Sequence, residues 1–294
     1  MSIVILPQNT LEVWERLQRE QTKLHAGLLF YRFIEVDSAK EFKYTDAGLE
    51  LVCRRADTQS AAALLHRQQN LVSALQKQGF TVDTWSQDLL TRMAAGLGIA
   101  SITENGIVID HIHGLPYIPG SILKGISQDY ALLYEYKVGT DTQKRRKAKK
   151  DSSFVAVFGA QTAEPGENIA KFEDRRGGVI FLDAVLERWN GPSPFEVDIM
   201  NPHYQEYYSN EGGTPPADYL NPNPIKFLAV KAGTRFCFGL AARDTNIQST
   251  VFGSSQLINQ AKDWLVGALK TLGAGGKTRV GYGISGNAIQ KPKK

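Results

Sequence analysis

Leu257, Ala261, Trp264, Leu265, Ala268 and Leu272 recur every three or four residues, the spacing of one helical face. A stripe this clean must be buried against another layer of structure. Ser254 or Ser255 stands where an N-cap belongs. The helix runs out into residues 273–283, Gly-Ala-Gly-Gly-Lys-Thr-Arg-Val-Gly-Tyr-Gly, after which 282–289 reads as a last strand. The C-terminal third is therefore helix, glycine loop, strand.

Six of the eleven loop residues carry no side chain beyond a methyl, and two others are cationic. Glycine lets backbone N–H groups turn toward a ligand with no Cβ in the way. Lys277 and Arg279 add charge, Thr278 a hydroxyl and Tyr282 an aromatic face. With Gly275 and Gly276, these residues suit a phosphate chain carrying bases. A Walker A loop is excluded, because position 271 is threonine and the segment leaves a helix instead of entering one. The dinucleotide fingerprint fails at its third glycine, where Thr278 stands. A plain helix C-cap is the simpler alternative, since glycine commonly ends helices.

Upstream, Thr10 is placed to cap a helix carrying Leu11, Trp14 and Leu17. Residues 28–34 read as a short strand or buried segment. Residues 60–78 read as a helix striped by Leu64, Gln68, Leu71 and Leu75 and closed by Gly79. Residues 1–84 thus form an N-terminal helical extension, and 85–294 the main domain. There, 88–98 reads as a strand breaking into glycines, followed by the β-prone 107–109. Two prolines keep the approach to 120 extended, and Ser121 is placed to cap a helix carried by Ile122, Ile126, Tyr130 and Leu133. Lys124 early in that helix opposes its dipole, a penalty that a bound anion near Gly120 and Ser121 would relieve. A solvated lysine is the plain alternative.

The run 144–150 packs six cations into seven residues, Arg145 and Arg146 among them. Mutual repulsion predicts a mobile loop able to track phosphates. Strands follow at 178–185, 195–199, 225–230 and 234–242. The stretch 201–224, with five prolines and four tyrosines, reads as a long structured loop. From Trp85 the order is strand, helix, strands, helix, strand. That is an α+β fold, the βαββαβ arrangement of ferredoxin-like and RNA-recognition domains.

A net charge of +4 over 294 residues is mild, so a nucleic acid would be held by local clusters. Cys53 and Cys237 lack metal-ligand spacing and read as thiols in a reducing compartment. The N-terminus resembles no signal peptide, and no apolar run of about twenty residues occurs, so the cytoplasm is expected. Nothing in the sequence asks for a cofactor or metal.

At 114–125, Gly-Leu-Pro-Tyr-Ile-Pro-Gly-Ser-Ile-Leu-Lys-Gly, the chain resembles the RAMP superfamily of CRISPR-associated proteins, and residues 273–283 resemble its C-terminal signature. The resemblance narrows with 28–31, 181–184 and 198–204 toward the family of sixth subunits of the type III-B (Cmr) effector. It implies a non-catalytic subunit at the end of a protein filament, gripping CRISPR RNA near the guide's 3′ region. Other RAMP subunits, the small helical subunit and target RNA are the implied partners. The 201–224 loop, with Asn201, His203 and Tyr204, is then the expected arm toward a base or a neighbour.

Related RAMP subunits cut RNA with an aspartate in the loop after the first strand. Here that loop, 99–109, holds only Glu104, and Asp110 lies beyond it, so metal-assisted cleavage is not expected. His111 and His113 keep a second reading open, an endoribonuclease processing CRISPR RNA precursors by acid–base catalysis. An H-x-H metal pair would need a third ligand that the sequence does not name. His25, His66 and His203 form no constellation.

Overall fold

The computed structural model describes residues 3–4, 6–19, 24–37, 43–99, 105–160, 175–201, 224–247 and 249–286. They form two compact units, each stitched from three stretches. One comprises Met1–Asp57, Ala94–Pro116 and Asn190–Lys231; the other comprises Thr58–Met93, Tyr117–Trp189 and Ala232–Lys294.

The second unit holds the predicted sheet. Thr81–Leu89 lies antiparallel between Ser285–Gly286 and Arg235–Ala242. Arg235–Ala242 also pairs with Val179–Phe181 and Ala184–Arg188, and Tyr117–Ile118 extends the far edge. Counted along the chain, the main strands stand in the order fourth, first, third, second. This is the ferredoxin-like α+β fold, with Gly120–Tyr134 and Ser254–Thr271 as the two connecting helices. The first strand begins at Thr81, not 88, because pairing with Arg235–Ala242 extends over its polar half.

The stripe on Ser254–Thr271 is buried as its spacing requires: Leu257, Ala261, Trp264, Leu265 and Ala268 are all inside. Trp264 stacks on Phe158 at 5.3 Å, and its indole N–H donates to Glu135 at 3.3 Å. Gly267 lets the two connecting helices close on one another. A Cβ there would lie 2.3 Å from the ring of Tyr130.

Thr58–Lys77 is the predicted second helix, ended by Gly79 at φ +81°. Its buried Gln68 donates to the carbonyls of Asp183 (3.0 Å) and Cys237 (3.4 Å), tying the helix to the strand Arg235–Ala242 and to the break before Ala184–Arg188.

The first unit pairs Phe195–Met200 with Ile225–Val230 and packs them with three helices around Trp14, Leu29, Phe30, Phe33, Leu49 and Leu228. Trp14 stacks on Phe33 at 4.9 Å. The stretch 28–34 is the buried segment and not the strand: residues 28–32 lie in the helix Ala26–Arg32, and Phe33 and Ile34 follow it, both buried. His25 caps it by accepting the Leu28 N–H, and Gly27 brings it against Ile109. A short helix, Asp46–Cys53, capped by Thr45, was not expected.

The cationic run is not a loop either. Asp141–Ala148 is a helix with a capping box between Thr140 and Gln143. Asp141 sits in its first turn and Arg145, Arg146 and Lys147 in its last, each sign matching the dipole, and Ala148 is buried. These terms outweigh like-charge repulsion between exposed side chains. His203, Tyr204 and nearly all of 201–224 lie outside the described residues; Asn201 is exposed at the end of Phe195–Met200.

Candidate nucleic-acid interface

Five glycines shape the loop after Ser254–Thr271, for two different reasons. Gly273 and Gly283 have φ of +77° and +76°, and a Cβ on them would lie 2.5 Å from the Tyr282 carbonyl oxygen and 2.0 Å from that of Ala274. Here backbone presses on backbone. The Ala274 N–H donates to Gly283 O at 2.9 Å, and the Gly283 N–H donates to Arg92 O at 2.6 Å, anchoring the loop just past the first strand.

Above this closed base stands one 3-10 turn, Thr278–Val280, entered by Lys277 at φ +57° and left by Gly281 at φ +91°. Val280, Gly281 and Tyr282 bond back to the Lys277 and Thr278 carbonyls. The N–H groups that open such a turn have no carbonyl within it, and Arg279 projects from the exposed tip. Lys277 Nζ lies 5.9 Å from the centroid of the Tyr282 ring, at the outer reach of a cation–π contact.

This turn forms one wall of a groove of about 660 Å³, with Gly120–Tyr134 and Asp141–Ala148 as the others. Lys144, Arg145, Thr278 and Arg279 line it with Gly275, and so do Asp129 and Asp141. Arg145 lies 3.7 Å from Asp129, both side chains more than half exposed. Such a pair is worth about 0–1 kcal/mol, so an incoming phosphate can take the guanidinium. The structure thus gathers Arg145, Gly275, Thr278 and Arg279 in one groove and adds Lys144. Arg146 lies on the same short helix, outside the lining.

Gly120, Ser121 and Lys124 lie elsewhere in the unit. Ser121 is exposed and does not cap its helix; Pro119 holds the N-cap position without a side-chain bond. The cap comes from the break between the strands Val179–Phe181 and Ala184–Arg188, where Asp183 Oδ1 accepts the Gly120 N–H at 2.7 Å. Gly120 is also demanded by packing, since a Cβ would lie 2.1 Å from Phe181 O. Lys124 is half-buried, and burial followed by the charge of Arg176 lowers its pKa. The capping role of Asp183 left no local trace in the sequence.

In the first unit, His113 Nδ1 lies 2.7 Å from Asp110 Oδ1, the partner that sequence could not name. The same oxygen accepts the N–H groups of Ile112 (3.1 Å) and His113 (2.7 Å), a turn-forming arrangement. Burial alone would raise the Asp110 pKa, but these bonds hold it below the usual range. His111 packs on Tyr31 at 5.5 Å between ring centroids. His25, contrary to expectation, joins this cluster. Among the described residues no three potential ligands are placed to hold a metal ion.

Burial lowers the pKa of His25, and His113 and His111 push the same way against Asp110. Its Nδ1 accepts the Leu28 N–H at 3.2 Å, so the neutral ring is the capping form. The unfolded chain then binds more protons around its ordinary pKa of 6.5. Stability from this group is complete above that value and is lost as pH falls through the lower, folded value. The thermal midpoint is expected to fall between about pH 7.5 and 5.5, and His25→Asn, which keeps a capping acceptor without titrating, to flatten that fall. Thermal melts across this range check it; an equal slope in the variant would remove His25 as the sensor.

The family model of the RAMP superfamily matches residues 88–284, from the end of the first strand of the sheet to just before the last. The chain is a RAMP superfamily member. Over 228 residues it is 31% identical to "CRISPR system Cmr subunit Cmr6" of Pyrococcus furiosus, covering 66% of this chain and 64% of that protein. Over 220 residues it is 26% identical to "CRISPR system CMR subunit Cmr6" of Saccharolobus solfataricus, covering 73% and 61%. This RAMP protein thus spans less than two thirds of the length of either relative. The cryo-EM structure of the Type III-B Cmr-beta bound to cognate target RNA contains a chain of similar fold, with a TM-score of 0.59 at 22% identity, covering 81% of this chain and 68% of that one. No described helix is long and apolar enough to cross a membrane.

Proposed function

We propose that this RAMP protein is a non-catalytic CRISPR RNA-binding subunit at the end of a type III-B (Cmr) ribonucleoprotein, gripping the guide backbone near its 3′ region. The observation that carries this reading is the groove in which the glycine-based turn presents Thr278 and Arg279 opposite Lys144 and Arg145. Cations and main-chain amides hold phosphates without reading bases, as a protein serving many guides requires. Likeness to Cmr subunits supports membership of such an assembly, and other RAMP subunits, the small helical subunit and target RNA are the proposed neighbours. Asn201, His203 and Tyr204 remain the candidate arm.

The rival reading is a processing endoribonuclease, favoured by one observation, the Asp110–His113 pair. Incubating the purified protein with end-labelled repeat RNA separates the two. Binding to unrelated single strands without cleavage is expected. Discrete cleavage abolished by His113→Ala would replace the binding role with an enzymatic one.

A further inference from the structure

The groove holds more than a phosphate needs. Ile126, Asp129 and Leu133 follow one another at spacings of three and four residues, on one face of Gly120–Tyr134, and all three line it. Leu272, which ends the helix Ser254–Thr271, lines it from the other side. Leu133 is 44% exposed although Ala131 and Leu132 beside it are buried, so its side chain faces the open groove. A hydrated polyanion gains nothing from such a floor, since cations and amides are what hold it. An apolar floor favours a flat, weakly hydrated group. The volume of about 660 Å³ also falls within the range of about 300–1,000 Å³ typical of sites that enclose a small molecule.

The charges on the walls point the same way. Asp129 and Asp141 line the groove as well, and each repels a phosphate placed beside it. Asp129 is matched by Arg145 at 3.7 Å, and Asp141 stands about one turn before Arg145 on its helix. A string of phosphates therefore does not suit the whole groove. Phosphates belong where Arg145 and Lys144 stand on one wall and Arg279 on another. A nucleotide answers both features, with its base on the apolar floor and its phosphates on the cations.

We propose that the groove seats one nucleotide of single-stranded RNA, its base laid on Ile126, Leu133 and Leu272 and its flanking phosphates held by Arg145 and Arg279. The proposal rests on the RNA-binding reading above and deepens it, adding a seat for one unstacked base to the grip on the backbone. Every base has an apolar face, so the seat tolerates any letter. The test measures affinity over a range of salt for two labelled strands of equal length, single-stranded RNA and the same ribose-phosphate chain without bases. Leu133→Gln keeps a helix-forming side chain and removes the apolar contact. It is expected to weaken binding to RNA about fivefold, the scale of covering a half-exposed leucine. The slope of log affinity against log salt should not change, because no cation is lost. On the baseless strand the variant should bind like the unaltered chain. Arg279→Gln should instead make the slope shallower by about 0.7 on both strands. Unchanged RNA affinity in Leu133→Gln, with a loss in Arg279→Gln, would overturn the seat while leaving the groove reading intact. An equal loss on both strands, or one tracking a lower melting midpoint, would make Leu133 structural and overturn it too. Unchanged binding in both variants would sink the seat and the groove together.

Discussion

Alanine at Gly283 is expected to unmake the cationic groove. The residue sits at φ +76°, and the new Cβ would lie 2.0 Å from the Ala274 carbonyl oxygen. Left-handed backbone alone costs a non-glycine residue about 1–2 kcal/mol. The overlap is with backbone, so relief requires breaking the Ala274–Gly283 bond, the Gly283–Arg92 bond, or both. Together these put the loss at about 3 kcal/mol or more, readable as a lower urea midpoint, with RNA affinity falling alongside. Gly281→Ala is the matched control. Its φ is +91°, but nothing lies within 4 Å of a Cβ there, so only the conformational penalty of about 1 kcal/mol should appear. Equal losses at the two positions would refute the tight base.

Removing both loop cations, Lys277→Ala with Arg279→Ala, gives the second large effect. The fold should survive, since neither side chain is fully buried. Binding at low salt should fall roughly tenfold to a hundredfold, by the same factor for unrelated RNA sequences, as loss of phosphate contacts predicts. Fluorescence anisotropy on three unrelated strands would measure this. A loss confined to one of them would mean that the loop reads bases.

The ferredoxin-like core was legible because its elements announce themselves locally. The apolar stripe of Ser254–Thr271 has one buried face, and Ile225–Val230 was bounded correctly from its β-prone run. Elements whose stability comes from elsewhere were missed. Ala26–Arg32 looks like a strand, with its bulky run, and is a helix because of the His25 cap and tertiary burial. Asp141–Ala148 looks like a repelling loop until its caps are counted. Of the candidate site, the glycine turn was visible as a pattern, but the meeting of Arg279 with Arg145 was not. The cap that Asp183 gives Gly120 spans 63 residues of chain and has no motif.

The pairing of Thr81–Leu89 with Arg235–Ala242 bears on how the chain comes into being. On a ribosome the first strand must wait, edge unprotected, until roughly 150 further residues have been made. The anchor at Arg92 comes later still, when Gly283 arrives. The closed base of the glycine loop is thus the last piece set in place: a polypeptide stopped short of that glycine would lack it.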